Sequence, residues 1–214
     1  MMRWIVTQNR VILFLAVLAV AAVSGCLGRS PDPRLFSMAD SELLPEADRA
    51  PGLAVVIGPA RTPAYLSRPQ IARRASGGEV VLDEWNRWIG GFESNLIRGI
   101  ERNVRRQLGS ERVVAYPSKA PFPIDYRARL HVDEFVVDDS NRLRFEVRWA
   151  LLRVSGSSES GPGRTSSTPG LSSLRGELPV DGNSVEALVR AHDQAIAQIS
   201  KAIVDQLVEA VGAP

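Results

Sequence analysis

Apolar residues recur along this chain in three spacings, and each predicts a different element. The first is strict alternation. Tyr126, Ala128, Leu130 and Val132 alternate with Arg127, Arg129, His131 and Asp133, and on the return Leu143, Phe145, Val147, Trp149 and Leu151 alternate with Arg144, Glu146 and Arg148. A period of two with one polar face predicts an antiparallel hairpin covered on one side only. Residues 138–141 supply its turn, and a slip in the alternation near Glu134 and Phe135 predicts a bulge. The second spacing is fourfold: Phe92, Leu96, Ile100, Val104 and Leu108, with Ile97 beside them, predict a helix over about 91–108 that stops at Gly109. A longer helix is predicted from Ser184 to about residue 211. Val185, Leu188, Val189, Ala195, Ile196, Ile199, Ala202, Ile203 and Leu207 form its buried face, with Ser184 as cap and Glu186 in the first turn.

Shorter signals fill the remainder. Residues 53–58 (LAVVIG), closed by Gly58-Pro59, read as a buried strand. Residues 70–75 and 79–82 bracket Ser76-Gly77-Gly78 as a hairpin. Strands are also predicted at 35–38, 112–116 and 171–178, and the Ser-, Gly- and Pro-rich stretch 155–170 reads as a mobile loop. The sum is an α+β fold: a two-layer sandwich, mainly antiparallel, with two amphipathic helices packed on one face.

The third spacing is no spacing at all. Residues 11–23 (VILFLAVLAVAAV) are uninterruptedly apolar, follow a basic stretch, and lead into Val23-Ser24-Gly25-Cys26. A membrane-spanning helix needs about 20 apolar residues, so this run suits the core of an export signal instead. Small residues before a lone cysteine are similar to the lipobox of bacterial lipoproteins. In that class the Cys26 thiol receives a diacylglycerol, the chain is cut before it, and the new amine is acylated, palmitate being a typical chain. The plain alternative is a secretory signal with a stray cysteine. Leu27 in place of aspartate favours, by analogy, the outer membrane, with the domain on its periplasmic face. The organisation expected is therefore 1–25 signal peptide, 26–52 lipidated N-terminus and Pro-rich tether, and 53–214 folded domain.

That export segment changes the reading of charge. The chain carries 26 basic and 24 acidic residues, a formal net charge of +2. Arg3 and Arg10 lie in the signal, which has no acid, so removing it leaves 24 of each. A neutral mature protein lacks the basic footprint of a nucleic-acid binder.

Candidate chemistry is sparse. Cys26 is the sole cysteine, so neither an internal disulfide nor a thiolate zinc site can form. There are two histidines, His131 and His192, and no G-x-S-x-G elbow; no enzyme, metal or cofactor beyond the lipid on Cys26 is expected. Arg98, Arg102, Arg105 and Arg106 share one side of the first helix. They read as a solvated face partly paired through Glu101 and Arg105, ahead of a contact with anionic head groups. Trp85-Asn86-Arg87-Trp88 is the most unusual stretch. Paired tryptophans serve equally as core anchors or as interface hot spots beside arginine.

Val56-Ile57-Gly58-Pro59, Pro63-Ala64-Tyr65-Leu66, Arg68-Pro69-Gln70-Ile71 and Arg87-Trp88, in that order, closely resemble the PqiC-type ABC transport auxiliary lipoproteins, as does the succession of lipobox, hairpin and closing helix. The chain departs from that pattern after Arg87-Trp88, where Ile89-Gly90-Gly91-Phe92 replaces an Ala-Glu-Pro-like stretch. The resemblance implies a non-enzymatic accessory subunit at the outer membrane. It would dock an MCE-domain protein of a PqiB-like system that carries lipids across the periplasm and so supports membrane integrity. Tyr65, Arg68, Gln70, Trp85, Arg87 and Trp88 are the partner-binding residues it suggests, and a ring-shaped partner is compatible with a homo-oligomer. The competing expectation is a carrier that itself holds an acyl chain between sheet and helices.

Overall fold

A computed structural model describes residues 31–38, 44–154 and 170–212. Contacts divide the chain into Met1–Asp32 and Pro33–Pro214, and every element described belongs to the second unit. The export segment, Cys26 and the stretch 155–169 lie outside the described residues.

Among the described residues, eight strands and two α-helices follow one another as β1 (Arg34–Phe36), β2 (Val55–Arg61), β3 (Gln70–Arg74), β4 (Val80–Trp88), α1 (Phe92–Leu108), β5 (Val113–Ala115), β6 (Tyr126–Val137), β7 (Arg142–Arg153), β8 (Gly170–Pro179) and α2 (Val185–Gly212). The predicted central hairpin is β6–β7. Its apolar positions are buried, and its register shifts between Val132 and Glu134, where the alternation slips. Ser184 caps α2 by accepting a hydrogen bond from the Ala187 N–H at 3.1 Å. Gly109 ends α1 in the left-handed region at φ 65°.

The sheet is mixed, so the mainly antiparallel arrangement expected describes its longest ladders and not all of its other pairings. β3–β4, β6–β7 and β7–β8 are antiparallel, while β1–β4, β2–β5, β2–β6 and β3–β6 are parallel. β6 is the branch point. One edge carries β7 along its length; the other carries β2 beside Tyr126–His131 and then β3 at Val137. The fold is α+β on one curled, forked sheet, and the expected two-layer sandwich extends no further than that. Parallel neighbours explain why Val55, Val56 and Ile57 are all buried, whichever face they point to. α1 packs on β2 and β5, α2 on β7 and β8, and the helices on each other.

The folded unit also reaches further towards the N-terminus than the expected boundary at residue 53. β1 pairs with β4, and Met38 is buried with its N–H on Asn95 Oδ1 of α1. Residues 44–50 then run along the end of α1. The N–H groups of Ala47, Arg49 and Ala50 reach the carbonyls of Arg106, Gln107 and Leu108, and Gln107 Nε2 returns a bond to the Pro45 carbonyl. These are the carbonyls a helix end leaves without partners, so the strap completes α1. A Cβ at Gly109 would press on the strap backbone, 3.0 Å from the Ala47 carbonyl oxygen and the Asp48 Cα, and φ there is positive, so the strap also needs a glycine there. Composition made this segment look like a tether because it lacks period; its bonds are to a helix end, which has none.

Candidate functional site

Five of the six residues singled out above gather where β3 enters beside the end of β4, and the sixth, Tyr65, lies just upstream. Gln70 pairs with Arg87, yet the next step pairs Ile71 with Asp83, so Glu84, Trp85 and Asn86 bulge out of the ladder. Asp83 causes this. Its Oδ1 accepts from the N–H of Trp85 (2.9 Å) and of Asn86 (3.0 Å), a side chain standing in for the missing strand partner. Beyond the bulge the Trp88 N–H bonds the Pro69 carbonyl at 2.7 Å, which fixes Arg68 and Gln70 next to Arg87.

The two tryptophans part company here. Trp85 is 50% exposed, whereas Trp88 is 3% exposed. The Trp88 ring packs against His192 of α2, tilted by 49° with centroids 5.2 Å apart, and His192 lies 5.2 Å from Phe135 of β6; Phe135 in turn meets Phe92 of α1 and Phe145 of β7. Trp88 is therefore a core anchor, a correction to its expected place on a binding surface. Tyr65 is also turned inward. Its hydroxyl accepts the Phe135 N–H at 3.3 Å beside the β6 bulge, and burial raises its pKa above the usual value. Arg68, Gln70, Trp85 and Arg87 remain available at the surface.

Two residues that the sequence did not single out complete the patch. Leu35 of β1 lies opposite Arg87 and is 59% exposed; Ile89, whose N–H bonds the Phe36 carbonyl, is 49% exposed. Leu35, Trp85 and Ile89 are thus large exposed apolar residues close to Arg87 along β1 and β4, a composition typical of protein interfaces. The polar groups beneath are incompletely matched. Gln70 Nε2 reaches Glu84 at 3.3 Å and Arg87 lies 3.9 Å from Glu84, but Gln70 Oε1, Asn86 Oδ1 and Arg87 Nε have no partner among the described residues.

Elsewhere the chemistry is structural. No group of three metal-ligating side chains occurs among the described residues. His131 lies 3.2 Å from Asp133, whose carboxylate accepts from Arg148 Nε at 2.6 Å and Nη2 at 2.7 Å and is held below its usual pKa above all by that pairing. On α1, Arg105 pairs with Glu101, and Arg106 bonds Glu46 and the Leu44 carbonyl of the strap. A cleft of about 360 Å³ opens between β3–β4, the β6–β7 turn and the start of α2, lined by Ile71, Arg73, Val81, Asp138, Val185 and Leu188.

His192 carries a pH prediction. Burial, above all, lowers its pKa to about 4, against a bond from its Nδ1 to the Leu188 carbonyl at 2.8 Å. The unfolded chain takes up a proton near pH 6.5 while the fold refuses it, so stability is whole above about 6.5 and declines as pH falls towards 4. Denaturant titrations at the two ends should differ by on the order of 3 kcal/mol more in the wild type than in His192→Phe. Equal losses in the two proteins would contradict this.

A family model described as "ABC-type transport auxiliary lipoprotein component" matches residues 37–204. The chain belongs to that family. The match begins just after β1 and ends within α2, so this auxiliary lipoprotein shares with its family the elements from β2 to most of α2. It is a component of ABC-type transport, and family membership implies a membrane anchor and transport partners. No helix among the described residues is long and apolar enough to cross a membrane. Two solved structures share the fold. One, described only as an uncharacterized protein, has a TM-score of 0.63 at 17% identity, covering 83% of this chain and 99% of its own. The other, protein XCC0632 from Xanthomonas campestris, assigned to DUF330, has a TM-score of 0.56 at 16% identity, covering 83% and 94%. No curated protein matches the chain.

Proposed function

We propose that this auxiliary lipoprotein is a non-enzymatic docking subunit of an MCE-type lipid transport system, anchored through acyl chains on Cys26 to the periplasmic face of the outer membrane. The observation that carries the reading is the family match across residues 37–204. The exposed group of Leu35, Trp85, Arg87 and Ile89, with Arg68 and Gln70 at its border, supplies the contact surface. Seven residues separate Cys26 from Arg34, at most about 29 Å of extended chain, so the anchor keeps that surface within reach of the bilayer.

Binding of the full chain to a purified MCE-domain protein from the same organism tests the proposal. Trp85→Ser and Arg68→Glu should each weaken binding about tenfold or more, the range of an interface anchor, with circular dichroism unchanged. A wild-type chain that does not bind contradicts it. The cleft near α2 favours one second reading, a carrier that holds an acyl chain, since its 360 Å³ falls at the small end of ligand pockets, which run from about 300 to 1,000 Å³. Lipid retained in native mass spectra, and displaced by Leu188→Trp, would select that reading over docking alone.

A further inference from the structure

β8 forms a ten-residue edge, paired with β7 on one side and with no strand on the other among the described residues. Its hydrogen-bond phase follows from its neighbours. The Asp138 N–H to Arg142 carbonyl bond commits the even positions of β7 to β6, and the Val180 N–H to Asn141 carbonyl bond puts the odd positions of β7 against the even positions of β8. The amides and carbonyls of Leu171, Ser173, Arg175 and Glu177 therefore point away from the sheet. Pro179 fits that phase, because its missing N–H falls on the open side.

Edges of this length are normally blunted by a bulge, an inward charge, or charges and proline on the edge itself. β8 has no bulge and no inward charge: its register with β7 is continuous from Gly170 to Pro179, and its edge charges, Arg175 and Glu177, are of opposite sign and stay on the solvent face with Glu146 and Arg142. Gly176 keeps the strand close to its neighbour, since a Cβ there would lie 2.3 Å from the Phe145 ring. The half-buried positions opposite the solvent face include Leu174 and Leu178.

We infer that β8 is a self-complementary interface, pairing antiparallel with β8 of a second copy of this chain about a two-fold axis through Gly176. Charge selects that register. An axis at Arg175 or at Glu177 would set like charges against each other, and one at Leu174 would pair Arg175 with Ser173. The axis at Gly176 sets Arg175 against Glu177 of the second copy twice, and Leu174 against Leu178 on the inner face, with every outward amide from Ser173 to Glu177 facing a carbonyl. This pairing does not depend on the identity of the transport partner.

Sedimentation of the detergent-solubilised full chain tests it by a charge exchange. The wild type should be dimeric. Arg175→Glu and Glu177→Arg should each weaken the dimer about tenfold or more, since attraction becomes repulsion at both symmetric pairs. An equimolar mixture of the two variants should dimerise again, because each then meets the opposite charge, a rescue that misfolding would not produce. Ser173→Pro removes an outward amide without touching the bonds to β7 and should also weaken the dimer. A monomeric wild type, or dimers indifferent to all of these changes, would overturn the inference.

Discussion

Trp88→Ala is expected to lower folding stability by about 3 to 5 kcal/mol, the usual loss for removing a buried indole. The indole lies against His192, and through it Phe135, Phe92 and Phe145, so the cavity would open where β4, β6, β7 and both helices meet. Collapse around it is restricted, since the Trp88 backbone is fixed by its bond to Pro69 and by the pairing of β4 with β1. Denaturant unfolding measures the loss. Trp85→Ala, on a side chain half in water, should change stability by no more than about 0.5 kcal/mol. Equal effects from the two would mean that the division into one core and one surface tryptophan is wrong.

The largest expected effect on location belongs to Cys26→Ala. Each buried methylene contributes about 0.8 kcal/mol, and two or more chains hold a protein where one does not. Replacing the only thiol removes the diacylglycerol site, and with it the cut that would expose a new amine for the further acyl chain. Cells fed labelled palmitate should mark the wild type and leave Cys26→Ala unmarked, and the variant should disappear from the outer-membrane fraction. A wild type that takes up no label, with both proteins fractionating alike, would refute the anchor.

The β6–β7 hairpin, its bulge, both helices and the Ser184 cap were readable because each rests on a local period or a local bond. The parallel pairings were not. A period of two reports which face a residue takes, but says nothing of which strand lies alongside or in which direction, so β2 gives no hint of β5 or β6. The strap at 44–50 was hidden because its partners, the last carbonyls of α1, lie some 60 residues away in the chain. Trp85 and Trp88 carried only a partial mark. A regular strand puts residues three apart on opposite faces, but the bulge at Glu84, Trp85 and Asn86 breaks that period between them, so core and surface were separated only by the pairing with β3. Leu35 and Ile89 had no such mark, since their exposure follows from the sheet edge that β1 occupies.

Docking through the β1–β4 surface is tested most directly by a photoreactive side chain at position 85 in intact envelopes, with one at Gln198 as control. Gln198 is exposed on α2, twelve residues or about 18 Å along the helix from Glu186, which pairs with Arg34 of β1. The account predicts an adduct with an MCE-domain protein from position 85 and none from position 198. No such adduct from 85, or equal trapping from both positions, would contradict it.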